Sequence, residues 1–385
     1  MPAEALASAA GTATMEITVS KFELLRELTA TQGVVERKTT IPILSNYLFE
    51  AGGDKLSLTA TDLDLSLRTS CNARVKKEGS CTIPARKLHD YVKLLPDADI
   101  TIKLLENHWV SIRCGRSNTK MVGMARSNFP GLPPFPNAGV VNVPAQVLRG
   151  MIAKTGFAIA NEESRYTLNG ALLVLKPESI TMVATDGHRL AHIERGGEKF
   201  EGISGEMKTL IPKKAMDELK ILLDSTDTDV IEFAKDESTL FFRIGPRLLT
   251  SRQLTGQFPN YEAVLPKDNS KSVSVDAEEL SAAISRVAQF ADERSRAVRL
   301  KLDKGEMKLS ASSSETGESE DSIEISYNGE SLAIGFNAQY IIDFLKAVGA
   351  GDVRLELKDA QSAGQLRPAE GEEYNYRYIV MPMRI

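Results

Sequence analysis

Cysteine is scarce in this chain. Cys71, Cys81 and Cys114 are the only three among 385 residues, an odd number with no CxxC or metal-ligand spacing. That excludes a disulfide framework and points to a reduced, cytoplasmic protein with buried, inert thiols. Only four histidines are present, and none falls into a metal-type set with cysteine or carboxylate, so no metal and no cofactor is expected. No apolar run approaches the ~18–20 residues needed to cross a bilayer, which removes a membrane partner. No P-loop, no GxGxxG opening a helix and no nucleophile elbow occurs. The first fourteen residues, MPAEALASAAGTAT, lack a basic n-region; they read as a disordered extension before Met15 rather than a signal peptide. Positive charge is short as well: the chain carries a net −5 with a pI near 5.7. A simple basic-protein argument for nucleic acid therefore fails, and only the local distribution of charge could support one.

What is present is repetition. A strand ITV at Ile17 leads to a helix with Leu24 and Leu28; VNV at Val141 leads to one with Leu148 and Ile152; VSV at Val273 leads to one with Leu280 and Ile284. The offsets, about 124 and about 132 residues, are the size of domains. Ala60-Thr61-Asp62 ends a strand in the first copy and Ala184-Thr185-Asp186 ends one in the second, with Leu309–Ser312 at the matching place in the third. A second helix follows in each copy, its apolar face carried by Leu88, Tyr91 and Leu95, then Met216, Leu219 and Leu223, then Ile341, Phe344 and Val348. Pro84 and Pro212 are expected just inside the first two of these helices.

Strands outnumber helices and do not alternate strictly with them. The expectation is an α+β fold of antiparallel sheets with helices on one face. Pro/Gly-rich breaks at 129–139 and 258–270 divide the chain into an extension (1–14) and three domains, 15–138, 139–266 and 267–385. The acidic run SSSETGESED, Ser312–Asp321, reads as a solvated loop.

Candidate chemistry is thin. Asp186-Gly187-His188-Arg189 could supply an orienting carboxylate, a base and an oxyanion donor, but no nucleophile accompanies it. Asp-Gly is also a tight-turn dipeptide, so a turn or a wall of a binding pocket is the competing reading. Basic residues recur near helix starts and loops, at Arg37 and Lys38, Arg86 and Lys87, and Lys213 and Lys214. They are either solvated surface or a phosphate-facing set.

Several segments resemble the bacterial sliding clamp family, the β subunits of DNA polymerase III. They are Ile41-Pro42-Ile43-Leu44-Ser45-Asn46, Arg165-Tyr166-Thr167-Leu168-Asn169-Gly170, the ATDGHRL segment ending at Leu190, Phe258-Pro259-Asn260-Tyr261 through Pro266, and the terminal Tyr378–Ile385. The resemblance runs from Met15 to Ile385. It implies three clamp domains per chain and a head-to-tail homodimeric ring of six, with antiparallel sheets outside and helices lining a central hole. It implies a non-catalytic processivity factor that encircles double-stranded DNA without sequence preference. Polymerase subunits, the clamp loader and repair proteins would bind through short peptides containing Gln and Leu/Phe.

Carried over position by position, the peptide pocket comprises Leu168, Thr185, Gly187, His188, Arg189, Leu190, Pro259, Val264, Val380, Met381, Pro382, Met383 and Arg384, with His188, Arg189 and the chain end as a polar rim. Ala263 and Ala363 stand where relatives can carry Arg and Ser. The DNA-facing set is Arg37, Lys38, Arg86, Arg165, Tyr166 and Lys214, with Thr167 replacing an aromatic seen in some relatives. The dimer interface includes Thr119 and Met121 on one side and Gln289 and Phe290 on the other; Thr119 stands where a bulky aromatic often sits.

Overall fold

The computed structural model describes residues 15–36, 39–162, 166–197, 199–370 and 373–384. The expected extension 1–14 lies outside them.

In the first repeat β1 (Glu16–Ser20) runs into α1 (Lys21–Ala30), followed by β2 (Asn46–Gly52), β3 (Lys55–Thr61), β4 (Leu65–Asn72), β5 (Arg74–Lys77) and β6 (Gly79–Pro84). Helix α2 (Ala85–Leu94) precedes β7 (Asp99–Leu104), β8 (Trp109–Cys114) and β9 (Ser117–Val122). The second repeat is β10 (Val141–Pro144), α3 (Ala145–Thr155), β11 (Gly170–Lys176), β12 (Ser179–Thr185), β13 (Arg189–Gly196), β14 (Met207–Pro212), α4 (Lys213–Ser225), β15 (Val230–Lys235), β16 (Thr239–Ile244) and β17 (Arg247–Arg252). The third is β18 (Lys271–Asp276), α5 (Ala277–Val287), β19 (Ala297–Asp303), β20 (Glu306–Ser313), β21 (Gly317–Glu324), β22 (Leu332–Asn337), α6 (Ala338–Val348), β23 (Asp352–Leu357), β24 (Gly364–Pro368) and β25 (Asn375–Val380). Apart from the additional β5, all three follow one plan, as the repeated strand-helix signal predicts.

Two details differ from expectation. Pro84 and Pro212 close the strands β6 and β14 instead of opening the helices. Both are edge strands, where a proline's missing N–H can face away from the ladder, and Pro84, at φ −54°, then caps α2. The acidic run is a β-hairpin. β20 and β21 pair from Ser313↔Gly317 to Glu306↔Glu324, with Gly317 at φ 102° beside the turn. Its charges sit on an edge strand, where like-signed exposed side chains discourage stray pairing.

The chain divides into two compact units, one built from the chain up to Asn142 with Ile221–Arg252, the other from Val143–Lys220 with the chain from Gln253 onward. The second repeat thus contributes to both. In the first unit a five-stranded sheet runs β5-β1-β7-β8-β9 and an eight-stranded sheet runs β10-β15-β16-β17-β4-β3-β2-β6. In the second an eight-stranded sheet runs β14-β11-β12-β13-β25-β24-β23-β18 and a four-stranded sheet runs β21-β20-β19-β22. The strand pairings whose registers are described, β11–β12, β13–β25 and β17–β4 among them, are antiparallel.

Both long sheets straddle a repeat boundary. β17 joins β4 through Leu248↔Arg68, Leu249↔Leu67, Thr250↔Ser66 and Ser251↔Leu65. β13 joins β25 from Arg189↔Val380 to Glu194↔Asn375. Helices bury one apolar face each: Leu24 and Leu28 on α1, Leu148, Met151 and Ile152 on α3, Leu280, Ala283 and Ile284 on α5. Burying one such Leu or Ile is worth about 1.5–3 kcal/mol. Strands with one solvated face alternate, as in AVRLKLD of β19, whereas GALLVLK of β11 is buried along nearly its whole length. Both faces of β11 are covered, so alternation has no physical basis there.

Candidate functional site

Thr185 and Asp186 build the turn between β12 and β13. Thr185 Oγ1 donates to the Arg189 carbonyl at 2.6 Å and accepts from the Gly187 N–H at 3.1 Å. Asp186 Oδ1 accepts from the N–H groups of His188 and Arg189. The first repeat makes the same turn: Thr61 Oγ1 donates to the Leu65 carbonyl and accepts from Leu63 N–H, and Asp62 Oδ1 accepts from Asp64 and Leu65. An identical network in two repeats marks the Asp-Gly-His segment as a turn module, with the carboxylate engaged by backbone.

Pairing of β13 with β25 brings this turn to the chain end. Leu190 faces Ile379, Arg189 faces Val380, and the Met381 N–H donates to the His188 carbonyl at 2.9 Å. Beyond it, Met383 N–H bonds the Gly335 carbonyl of β22 at 2.8 Å, fixing the tail on the third repeat. Leu190 (4 % exposed), Leu172, Val174, Val183, Leu210, Phe258 and Ile379 form one apolar cluster. Leu254, Tyr261 and Leu265, from the linker after β17, pack on it. Next to that floor, Met381 remains 46 % exposed; Val264 and Pro259 are exposed, and Leu168 is half-buried. Thr185 and Val380 are buried, Gly187, His188 and Arg384 are exposed, and Pro382 and Met383 are half-buried. A groove of about 760 Å³ continues beside the tail, lined by Pro382, Met383 and Arg384, by Arg299, and by Gly335 and Gln361. An exposed thioether beside a rigid apolar floor is an adaptable seat for an apolar side chain.

Arg189 does not belong to a polar rim. Its side chain is only 10 % exposed. Nε bonds Asp186 Oδ2 at 3.0 Å, Nη1 bonds Asp343 Oδ2 of α6 at 2.7 Å, and Nη2 donates to the Phe157 carbonyl at 2.6 Å. The guanidinium also lies over the Tyr340 ring, 4.4 Å from its centroid. Burial works against its charge, but the neighbouring Tyr378, Asp343 and Asp186 outweigh it and hold the proton more firmly than usual. Arginine's five donors in a planar fork let one side chain bind all of these groups, which tie the second repeat to the third. With Asp186 engaged by the turn and by Arg189, the arrangement is that of a structural tie and not of a base with its orienting carboxylate.

Of the expected DNA-facing residues, Arg37, Lys38 and Arg165 lie outside the described residues. Arg86 is exposed in the first turn of α2, beside a pocket of about 510 Å³ that also includes Lys87 and His89. Tyr166 is 75 % exposed, and Lys214 is exposed in the first turn of α4. Thr119 and Met121 sit on β9, a sheet edge; Thr119 is half-buried and Met121 buried against its own domain. Gln289 (exposed) and Phe290 (half-buried) occupy a single helical turn after α5, packed against β20 and β21, and β21 is also a sheet edge. The charge of these edges went unread in the sequence. Arg116 and Lys120 are exposed on or next to β9, and Glu318, Glu320 and Glu324 are exposed on β21.

Comparison with known proteins places this geometry. Three models of the DNA polymerase III β subunit match in order: the N-terminal domain at residues 15–133, the central domain at 142–260 and the C-terminal domain at 262–384. The chain is 37 % identical over 374 residues to the β sliding clamp of Pseudomonas putida, covering 96 % of this chain and 100 % of the relative. It is 33 % identical over 373 residues to that of Vibrio cholerae, with the same coverage. A crystal structure of the Pseudomonas aeruginosa sliding clamp bound to griselimycin superposes with a TM-score of 0.90 at 35 % identity, covering 96 % of this chain and all of that one. The Caulobacter crescentus clamp, with polyethylene glycol at a putative β-motif tethering region, gives 0.90 at 33 % identity, covering 97 % and 100 %. With all three β-subunit domain models matched in order and full-length relatives at 33–37 % identity, the chain belongs to the β sliding clamp family, the non-catalytic processivity subunit of DNA polymerase III.

Proposed function

We propose that two copies of this chain close head to tail into a ring around duplex DNA in the cytoplasm. The ring tethers the replicative polymerase and recruits other polymerases, the clamp loader and repair proteins through one peptide pocket per chain, between domains 139–266 and 267–385.

One observation carries the ring. The third strand of the second repeat's later half, β17, pairs with β4 of the first repeat, and its counterpart in the third repeat, β25, pairs with β13 of the second. The pattern calls for a third joint, between β9 and β21, and both strands are sheet edges. Within one chain β9 and β21 stand at opposite ends of the repeat series. A second copy can supply both missing partners by a head-to-tail arrangement that closes on itself. Opposite charge supports this pairing: Arg116 and Lys120 accompany β9, and Glu318, Glu320 and Glu324 lie on β21. Gln289 and Phe290 would flank the joint on one side, and Thr119 and Met121 on the other.

A ring held topologically needs only weak, screened attraction to phosphate, which permits sliding. Arg86, Lys214 and Tyr166 supply this, together with Arg37, Lys38 and Arg165. The Leu190–Met381 site takes the Leu or Phe of a partner peptide, with Met381 adapting its shape. No cofactor takes part. Three measurements test the reading. Sedimentation should give a species of about twice 42.1 kDa. Protein loaded on circular DNA should fall off when the DNA is linearised; retention on the cut DNA would overturn the ring. Met381→Ala should weaken a partner peptide while leaving the dimer intact.

A further inference from the structure

We infer that Arg377 is a positioning residue of the partner site: from β25 it fixes the inter-repeat linker that carries Pro259 and Val264 as one wall of the pocket. The inference rests on reading the Leu190–Met381 site as the peptide seat.

The linker after β17 crosses the sheet on the face that carries Leu190 and His192. It is anchored first by Phe258 in the apolar cluster and by the Tyr261 ring, tilted against His192 with 5.6 Å between centroids. It is anchored again at Pro266, whose carbonyl accepts from Arg377 Nη2 at 3.0 Å. Asn269 then bonds the carbonyls of Glu356 and Ala363. Pro259 and Val264 lie exposed between the Phe258 and Pro266 anchors. The only regular structure between them is the single turn Tyr261–Ala263. A short segment with so little internal bonding takes its position from its anchors.

Arg377 is itself held by a polar ladder across the sheet. It faces His192 in the β13–β25 register, and its Nε donates to Gln365 Oε1 at 2.7 Å. Gln365 bonds Glu356, and Glu356 Oε1 pairs with Arg367 at 2.8 Å. Arg367 thus pairs with the carboxylate directly, and Arg377 reaches it only through Gln365. Burial, and then the nearby Arg367, push the Arg377 proton affinity below its ordinary value, with Glu356 opposing. Burial and Arg377 likewise push His192 down to about 4, so its ring is neutral, and Nδ1 has no hydrogen-bond partner. A sheet face needs no such crowding of cations for stability; apolar side chains would serve better. The bond that this ladder aims outward from the sheet is the one to Pro266.

The test uses the full-length protein and a fluorescein-labelled Gln-Leu-Ala-Leu-Phe peptide. Affinity is read by anisotropy, and backbone mobility by hydrogen exchange of the free protein. Arg377→Ala should bind the peptide about tenfold more weakly, the loss expected for one charged hydrogen bond. Arg377→Lys, which can still reach the Pro266 carbonyl, should recover part of it. Amides of residues 260–265 should exchange faster in Arg377→Ala, while those of β15 and β16 keep wild-type rates. Tyr261→Ala, which releases the same segment from the linker side, should act alike if the arginine variant does not fold. Unchanged exchange at 260–265, or wild-type peptide affinity in a variant whose linker has loosened, overturns the inference. If the wild-type protein binds no peptide, the pocket reading falls, and the exchange measurement still decides whether Arg377 fixes the linker.

Discussion

Arg247 Nε lies 3.0 Å from Glu27 Oε2, with the two side chains 3 % and 1 % exposed. The pair binds α1 of the first repeat to β17 of the second, 220 residues away in sequence. Thr69 donates to the same carboxylate at 2.6 Å, Arg26 bonds Oε1 at 2.7 Å, and Ser225 and Thr226 accept from Arg247. Burial alone would raise the Glu27 pKa, but the bonds from Arg247, Thr69 and Arg26 outweigh it and hold it below 4.5. Because the folded pKa is depressed, the stabilisation is full above pH 4.5 and is lost as pH falls through the folded value. Arg247→Leu, which leaves a buried charge with only part of its bonding, should cost about 3–5 kcal/mol in urea unfolding. Adding Glu27→Leu should restore most of that; a double variant as unstable as the single one would show that packing, not charge, governs the site.

Glu218 on α4 presents the opposite case. It is 5 % exposed, and Oε2 has no hydrogen-bond partner. Burial raises its pKa from 4.5 to about 7, with Lys214 opposing and Asp217 adding. The native state then keeps a proton that the unfolded chain has already lost, so stability declines as pH rises from 4.5 to about 7 and stays lower above it. Glu218→Gln should be the more stable protein at pH 8, by on the order of 2–3 kcal/mol. Matching pH profiles for the two proteins in chemical denaturation would refute this.

The paired turns offer a backbone test. Gly187 takes φ 90° in the second repeat, and Leu63 takes φ 83° at the same place in the first, with its side chain half in solvent. A left-handed conformation costs a residue with a Cβ about 1–2 kcal/mol. Leu63→Gly should therefore stabilise the first repeat by roughly 0.5–1 kcal/mol after the added chain entropy, and Gly187→Ala should destabilise the second. Midpoints from thermal melts carry the comparison.

Dimer strength should depend on ionic strength, because the edge proposed to take β21 carries Arg116 and Lys120 and lacks a bulky aromatic at Thr119. Raising NaCl from about 50 to 500 mM should weaken the dimer several-fold. Lys120→Glu should weaken it at low salt. Salt-independent association would point to an apolar interface.

Much of the fold was legible because domain-sized repetition and helical periodicity are local or self-referring signals. The Thr-Asp turn was visible for the same reason: Thr61 and Thr185 sit in matching words. Strand exchange between repeats was not, since nothing in Leu248 or Leu249 names Arg68 or Leu67 as a partner. The acidic hairpin was hidden because charge on an edge strand resembles charge in a loop, and only the register of Met307 with Ile323 separates them. Arg189 was expected on an exposed polar rim, and its side chain is buried. Its partner Asp343 is 154 residues distant, and burial of a charge depends on partners no local pattern announces.

The β17–β4 pairing makes the peptide bond between the first two repeats dispensable. Phe129 is buried beside Ile43, Leu44 and Leu48, so the linker's start is moored to the first repeat. Phe135 packs edge-on against Phe241, 6.1 Å between centroids, with Arg243 over its ring, so the linker's end is moored to the second. Between these moorings Gly131, Pro133 and Pro134 are exposed. A protease nick there would sever the backbone and release nothing, because four residue pairs of sheet and the Glu27–Arg247 tie still span the cut. Integrity of this chain across that boundary is a property of its hydrogen bonds more than of its covalent thread.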